Sequence, residues 1–143
     1  MNPSSRPLRI CNWDEAEALV MPLRVRVFVE EQGVPADIEL DEFDPLSRHA
    51  VLADETGQVI ATGRLLPDGH IGRMAVAKAR RSEGIGSRVL LALMDEALRA
   101  EMTTVMLNAQ VVAIPFYERH GFASVGPRFM EAGIEHQGMA RRF

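Results

Sequence analysis

An abrupt change of hydrophobic period in the middle of the chain constrains the fold more than any other feature. Over residues 85–98 the apolar residues recur at helical spacing, so they lie on one face of a helix. Residues 49–76 instead hold three short apolar runs separated by turn sequences, which indicates an antiparallel meander. An amphipathic helix that follows a meander needs a sheet on which to bury its apolar face. The pattern therefore predicts an α/β or α+β fold.

The other segments extend this layout on both sides. A helical stretch after residue 13 starts with Asp14 as its N-cap, and Pro22 inside it predicts a kink or two short helices. A short helix is predicted from about residue 113 to Gly121, a residue type that commonly follows helix ends. The predicted strands are 8–13, 49–53, 58–66, 70–76, 104–108, 122–125 and 135–142. The predicted order is β-α-βββ-α-β-α-β-β, in one domain over residues 1–143.

Composition and residue spacing count against nucleic-acid-binding, disulfide-bonded, metal-binding and membrane-spanning proteins. The net charge of −4 counts against general nucleic-acid binding, which needs a basic face. Cys11 is the only cysteine, so neither an internal disulfide nor a cysteine-based metal site can form. The histidines at 49, 70 and 120 lack ligand spacing, and we expect no metal. Without an apolar run of about 18 residues or a leader-like start, we expect no membrane span and a cytoplasmic location.

Carboxylates are concentrated in one stretch, residues 28–47, which contains seven acidic residues and no basic residue. Two interpretations stay open for it. It is either a solvated loop or a rim that attracts a cationic amine. The seven are Glu30, Glu31, Asp37, Glu39, Asp41, Glu42 and Asp44.

A turn rich in glycine, residues 81–87, joins the third strand of the meander to the long helix. Gly84 and Gly86 let the backbone approach a ligand closely, and the first N–H groups of a helix favour a phosphate. Arg81 adds charge. A Walker loop would need a lysine before Ser87, and a Rossmann fingerprint would need a small residue at Val89. A helix start that binds nothing remains the alternative.

The glycine turn and the segments around it resemble the motifs of a known protein family. Arg81-x-x-Gly84-x-Gly86 matches the Q/R-x-x-G-x-G/A signature of the GCN5-related N-acetyltransferases, abbreviated GNAT. Residues 71–76 resemble the fourth strand of that family, residues 107–110 its fifth strand, and residues 116–122 its Phe-Tyr-x-x-x-Gly-Phe motif. Residues 24–32 and 129–136 are similar to those of a small bacterial branch whose substrates are mostly unassigned.

The resemblance implies a mixed, mostly antiparallel sheet flanked by helices, with acetyl-CoA as cosubstrate and no metal. It also implies an amine acceptor, either a small molecule or a peptide. Homodimers are common in such proteins, and a C-terminal strand pairing across chains is left open. The implied coenzyme-binding residues are Met74, Ala75, Val76, Arg81, Ser82, Glu83, Gly84, Ile85, Gly86, Ser87, Asn108, Ala113, Phe116 and Tyr117.

Direct attack of an amine on a thioester needs a donor to the oxyanion, a proton donor to the leaving thiolate and a base for the amine. The backbone N–H of Val76 is our candidate donor to the oxyanion. Tyr117, the single tyrosine, is our candidate proton donor to the leaving thiolate, since a phenol has a pKa of about 10. A base must neutralise the amine. Glu31 is the leading candidate for that base, and Asp41, Glu42, His136 and a water relay are alternatives.

Two other functions stay open at the level of sequence. A non-catalytic acyl-CoA sensor or partner-binding module would keep the glycine turn but lack an effective base. A nucleotide-binding protein of another fold would use the same turn for a different diphosphate, although the missing lysine and third glycine count against it.

Overall fold

An eight-stranded sheet is the frame of the molecule. The computed structural model describes residues 8–143, with all their side chains except those of Asp37 and Ile38. The strand order is β1-β2-β3-β4-β5-β8-β6, with β7 also paired to β8. The pair β4–β5 is parallel and the other pairs are antiparallel, which confirms the expected mixed sheet. The strands are β1 Arg9–Cys11, β2 Arg48–Ala53, β3 Val59–Leu65, β4 His70–Val76, β5 Thr104–Gln110, β6 Ala123–Ser124, β7 Phe129–Glu131 and β8 Ile134–Arg142.

Helices cover both faces of the sheet. The helices are α1 Trp13–Arg24, a π-helix Val25–Glu31, α2 Ala36–Glu39, α3 Ile85–Arg99 and α4 Ile114–Arg119. The apolar face of α3 packs into the main core, where its Val89, Leu90 and Leu93 have no exposed surface. The opposite face of the sheet packs against α1 through a smaller cluster that includes Val20 and Val51. The predicted meander and the predicted long helix are both confirmed.

The first strand and the first helix meet at a different residue from the one predicted. The predicted strand 8–13 is too long, because Trp13 begins α1. The N-cap is Asn12 and not Asp14, since the Asn12 side chain accepts the Glu15 N–H at 3.0 Å. A side-chain oxygen that satisfies a free helical N–H fixes the start of the helix. Apolar residues alone do not locate that boundary.

Pro22 has an effect that the sequence did not reveal. Instead of a kink or two short helices, α1 continues to Arg24 and then widens into the π-helix. Proline carries no N–H and crowds the preceding turn, so regular α bonding is disturbed near it. A π-helix turns less per residue than an α-helix, so its last residue, Glu31, points in a direction that α-helical spacing does not predict.

The C-terminal part contains one strand more than predicted. Gly121 follows α4 with a φ of +86°, as expected for a helix end. The extra strand is β7, which forms a hairpin with β8 through Ala132 and Gly133. Both turn residues have positive φ, as in a type I′ turn. Alanine is rare at such a position, so residues 131–134 carry no clear hairpin signal.

Candidate active site

A gap between β4 and β5 defines the candidate site. These parallel strands pair at His70–Met106 and Ile71–Leu107, and among the described residues the pairing stops there. The rest of each strand, up to Val76 and Gln110, is paired on its other side. The sheet is therefore open between the second halves of β4 and β5.

A β-bulge in β4 lies beside this gap. Between the pairs Thr62–Ala75 and Arg64–Gly72, β4 has two residues where β3 has one. Arg73 adopts a φ of +48°, which is unusual for a residue with a side chain.

Gly63 is the β3 residue opposite the bulge. A Cβ atom there would lie 2.9 Å from Leu93 Cδ1 and 3.0 Å from Met74 Cγ. Glycine therefore lets Met74 and α3 pack against β3.

The polar groups of Val76 face the gap. The Ala77 N–H donates to the Ile60 carbonyl at 2.8 Å, so Ala77 bonds to β3. Hydrogen-bonding direction alternates along an antiparallel pair, which turns the N–H and C=O of Val76 away from β3. The Arg81 Nε atom donates to this carbonyl at 3.0 Å.

The glycine turn starts α3 with free backbone donors. Gly84 is the N-cap and has a φ of +78°, a conformation that glycine adopts without strain. No side-chain cap is present among the described residues, so the first N–H groups of the helix are open to an anion. A Cβ on Gly86 would lie 3.6 Å from the Phe116 ring, which shows that α4 lies beside the turn.

Side chains around the turn have specific partners. Arg81 forms an ion pair with Glu31 at 2.9 Å, and Arg80 bonds Glu83 at 3.2 Å. The Ser87 hydroxyl lies 2.9 Å from His120 Nε2. Burial, together with two nearby arginines, lowers the pKa of His120.

Tyr117 crosses the gap from α4 to β4. Its hydroxyl donates to the Met74 sulfur at 3.8 Å, and its ring meets Phe116 edge-to-face at 5.0 Å. Burial raises the pKa of Tyr117 from the ordinary phenol value near 10 to about 12. The phenol therefore stays protonated throughout the neutral range and acts as a hydrogen-bond donor.

The acidic stretch is not uniformly solvated. Glu39 and Asp44 are buried and bind Arg24, with Asp44 Oδ1 at 2.8 Å from Arg24 Nη1. Arg64 bonds Asp41 at 2.6 Å and Asp44 at 2.9 Å. Together with Glu31, which pairs with Arg81, at least four of the seven carboxylates are in ion pairs, and less negative charge is available to a cationic acceptor. These partners lie far apart in the chain, so no local pattern indicated them.

The same network reaches the bulge of β4. Arg73 donates from Nη2 to Asp41 at 3.1 Å and from Nε to the Glu39 carbonyl at 3.0 Å. Burial alone would raise the pKa of Asp44, but hydrogen bonds from Arg24 and Arg64 hold that pKa below its usual range. The loop and the bulge are therefore held together by buried charge.

The remaining candidate residues differ in how exposed their side chains are. Glu30 and Glu42 are exposed, and the side chain of Asp37 lies outside the described residues. The Ala75 side chain packs against Leu23 and Val27, so its backbone alone can serve the gap. Ser82, Glu83 and Asn108 are exposed, whereas Ile85 is buried in the core and Ala113 immediately precedes α4.

Across the gap from β4, β5 pairs with β8 and contacts Gln32, the residue after the π-helix. Gln110 Nε2 donates to Gln32 Oε1 at 3.0 Å. His136 pairs directly with Gln110 on the neighbouring strand. Its Nδ1 atom lies 2.7 Å from the Ile134 carbonyl, and its Nε2 atom lies 3.6 Å from Glu131. Sequence reasoning named His136 as a base candidate but missed Gln32 and Gln110, because they meet across 78 positions.

Residues 8–143 contain neither a metal-ligand cluster nor a membrane-spanning helix. No group of three or more His, Cys, Asp or Glu residues in that range could hold a metal ion. In the same range, no helix has both the length and the apolar character needed to cross a membrane.

Comparisons with known proteins place these features in a wider context. The profile of the family described as "Acetyltransferase (GNAT) domain" matches residues 22–143. An uncharacterized N-acetyltransferase, YjcF, from Bacillus subtilis (strain 168) is 38% identical over 122 residues, which are 83% of this chain and 87% of that protein.

Solved structures give the same result. An acyl-CoA N-acyltransferase from Pseudomonas aeruginosa has a TM-score of 0.85 at 30% identity and covers 94% of this chain and 98% of its own. Escherichia coli ElaA has a TM-score of 0.85 at 28% identity, covering 96% of this chain and 100% of its own. The similarity therefore extends over the sheet, the gap and the glycine turn together.

Proposed function

Because this chain belongs to the GNAT family of acetyltransferases, we propose that it transfers acetyl from acetyl-CoA to a primary amine of a small molecule or peptide. The observation that carries the proposal is the opening of the sheet beside a helix N-terminus. One end of a long thioester coenzyme can bind the free N–H groups of α3, and the other end can enter between β4 and β5.

The residues around the gap support a division of roles. Backbone N–H groups of residues 82–87, with Arg81 and Ser87, bind the pyrophosphate. The exposed edge of β4 at Met74–Val76 binds the pantetheine arm through main-chain bonds. Ala113 and Phe116 lie beside the coenzyme near α4, and Asn108 does so on β5.

The chemistry needs few protein groups. The amine nitrogen forms a bond to the acetyl carbon, and the carbon–sulfur bond then breaks. The Val76 N–H donates to the developing oxyanion. Tyr117, whose hydroxyl already donates to a sulfur atom, donates to the departing coenzyme sulfur. Glu31 is one candidate for the base that takes the amine proton, although its carboxylate is paired with Arg81.

Binding and turnover can be tested separately. Calorimetry with acetyl-CoA should show saturable binding that is stronger than binding of ATP or NAD. A thiol-release assay with spermidine, glucosamine and a lysine-containing peptide should then show amine-dependent CoA formation. Absence of acetyl-CoA binding at millimolar concentration would reject the proposal. Binding without release from any amine would favour a non-catalytic acyl-CoA sensor. The cytoplasmic location and a homodimer stay predictions.

A further inference from the structure

The β7–β8 hairpin places a histidine one strand from the gap, because β8 pairs with the side of β5 that faces away from β4. His136 pairs with Gln110 on one side and with Phe129 on the other. Directly paired residues project their side chains from the same face of a sheet. His136 therefore lies on the same face as the Gln110 side chain, which bonds Gln32.

A continuous series of contacts runs around this opening. The Val76 carbonyl accepts from Arg81, and Arg81 binds Glu31. Gln32, the next residue, contacts Gln110, whose strand neighbour is His136. These contacts connect Val76 on β4 with Gln110 on β5 across the open part of the sheet, and His136 lies beside Gln110 on β8.

The bonding of the imidazole defines its tautomer. The Ile134 carbonyl oxygen can only accept, so the His136 Nδ1 atom at 2.7 Å carries the hydrogen. In the neutral ring, Nε2 then has a free lone pair. Phe129 stacks on the ring with centroids 5.9 Å apart, which helps to fix its plane.

An exposed carboxylate lies near the imidazole. The Glu131 Oε2 atom is 3.6 Å from Nε2. Glu135, next in sequence, is exposed and lies 3.9 Å from Arg128. The side that faces β5 presents the neutral amide of Gln110.

The carboxylate candidates are placed less favourably. Glu31 already binds the Arg81 guanidinium at 2.9 Å. Asp41 accepts from Arg64 at 2.6 Å and from Arg73 at 3.1 Å. Each would have to lose an ion pair with an arginine in order to accept a proton, whereas no arginine pairs with the Nε2 atom of His136 among the described residues.

We infer that His136 is the general base, a role that rests on the proposed acetyl transfer. Its Nε2 atom takes the proton that the amine nitrogen loses as the nitrogen–carbon bond forms. The carbon–sulfur bond then breaks, and the sulfur receives its proton from solvent while Tyr117 donates a hydrogen bond to it. The imidazolium returns its proton to solvent after each turnover.

The tautomer can be measured without any substrate. Nitrogen-15 spectra of the protein contain signals from four histidines, and His136→Asn removes the signals of one. We expect the neutral His136 ring to carry its hydrogen on Nδ1. A hydrogen on Nε2 in the neutral ring would overturn the inference, since Nε2 could not then accept a proton.

Kinetics test the role itself. His136→Asn keeps an N–H donor near the Ile134 carbonyl but removes the acceptor, and we expect kcat to fall about 100-fold or more. Acetyl-CoA binding should be unchanged, and the loss of rate at acidic pH should disappear. Added imidazole should restore part of the rate of His136→Ala. The matched control is His70→Asn, at an exposed histidine that pairs with Asp68.

The outcomes distinguish a failure of the proposed acetyl transfer from a failure of the proposed role of His136. If the wild-type protein releases no CoA with any of the amines, the proposed function fails, whatever the tautomer. If the wild-type protein turns over and His136→Asn keeps its rate and pH profile, the role of His136 alone fails. A larger loss in Glu31→Gln than in His136→Asn would assign the base to Glu31 instead.

Discussion

The carboxylate of Glu31 and the guanidinium of Arg81 meet at 2.9 Å, joining the end of the π-helix to the glycine turn. The same guanidinium donates to the Val76 carbonyl at 3.0 Å. Arg81 therefore connects the proposed pyrophosphate site with the strand that would bind the thioester. A pyrophosphate group would compete with Glu31 and Val76 for this side chain.

Substitutions at the two partners should have different effects on coenzyme affinity. Arg81→Gln removes a charged donor, worth about 1.5–3 kcal/mol, and should weaken acetyl-CoA binding by about 10- to 100-fold. Glu31→Gln releases Arg81 and should leave binding equal or tighter. Calorimetry measures both, with Arg99→Gln as the control because Arg99 is an exposed partner of Asp95. Wild-type affinity in Arg81→Gln would contradict the assignment.

Ultraviolet titration can follow Tyr117 directly, because it is the only tyrosine. Burial raises its pKa to about 12, so little tyrosinate absorbance should develop below pH 11. A midpoint near 10 would show that the phenol is solvated. Tyr117→Phe should lower kcat by about 100-fold while acetyl-CoA affinity changes little.

Gly63→Ala should destabilise the fold, because the new Cβ would lie 2.9 Å from Leu93 and 3.0 Å from Met74. The expected loss is about 1–3 kcal/mol in the free energy of unfolding, measured with urea. Gly72→Ala is the matched control on β4. Among the described residues, no atom lies within 4 Å of a Cβ at Gly72, apart from its chain neighbours. Equal effects of the two substitutions would contradict the packing described for the bulge.

Asp44→Asn should be far more damaging than a similar change at the surface. Asp44 has no exposed surface and binds both Arg24 and Arg64, so the substitution leaves buried positive charge without its partner. The expected cost is about 3–5 kcal/mol. Asp95→Asn, at an exposed ion pair with Arg99, should cost less than about 1 kcal/mol. A loss below 1 kcal/mol at Asp44 would show that the network is not needed for stability.

His49 should make the protein less stable in mild acid. Burial lowers the pKa of His49, whereas an unfolded histidine has a pKa of about 6.5. Below the unfolded pKa the unfolded chain binds more protons than the folded one, so stability falls as the pH falls from about 6.5 towards the folded pKa. Denaturant unfolding at pH 5 and pH 7 measures the effect, which should be smaller in His49→Gln. An unchanged pH dependence in that variant would assign the effect to other groups.

Local patterns predicted the central part of the fold well. The meander, the start of the helix at Ile85 and the glycine after α4 depend on side-chain period and on backbone freedom, which neighbouring residues determine. The beginning of α1 and the hairpin through Ala132 were wrong or missed, because apolar residues fit either structure and alanine is not a usual turn residue.

Residue order within short windows was enough to predict the family, the mixed sheet and the position of the glycine turn. The neutralised charges and the free groups around the gap became apparent only in the folded chain. Glu31 meets Arg81, Asp44 meets Arg24 and Arg64, and Gln32 meets Gln110 only after the chain has folded. Electrostatic and hydrogen-bonding partners depend on distance in space, so sequence spacing could name His136 as a candidate but could not separate it from the carboxylates.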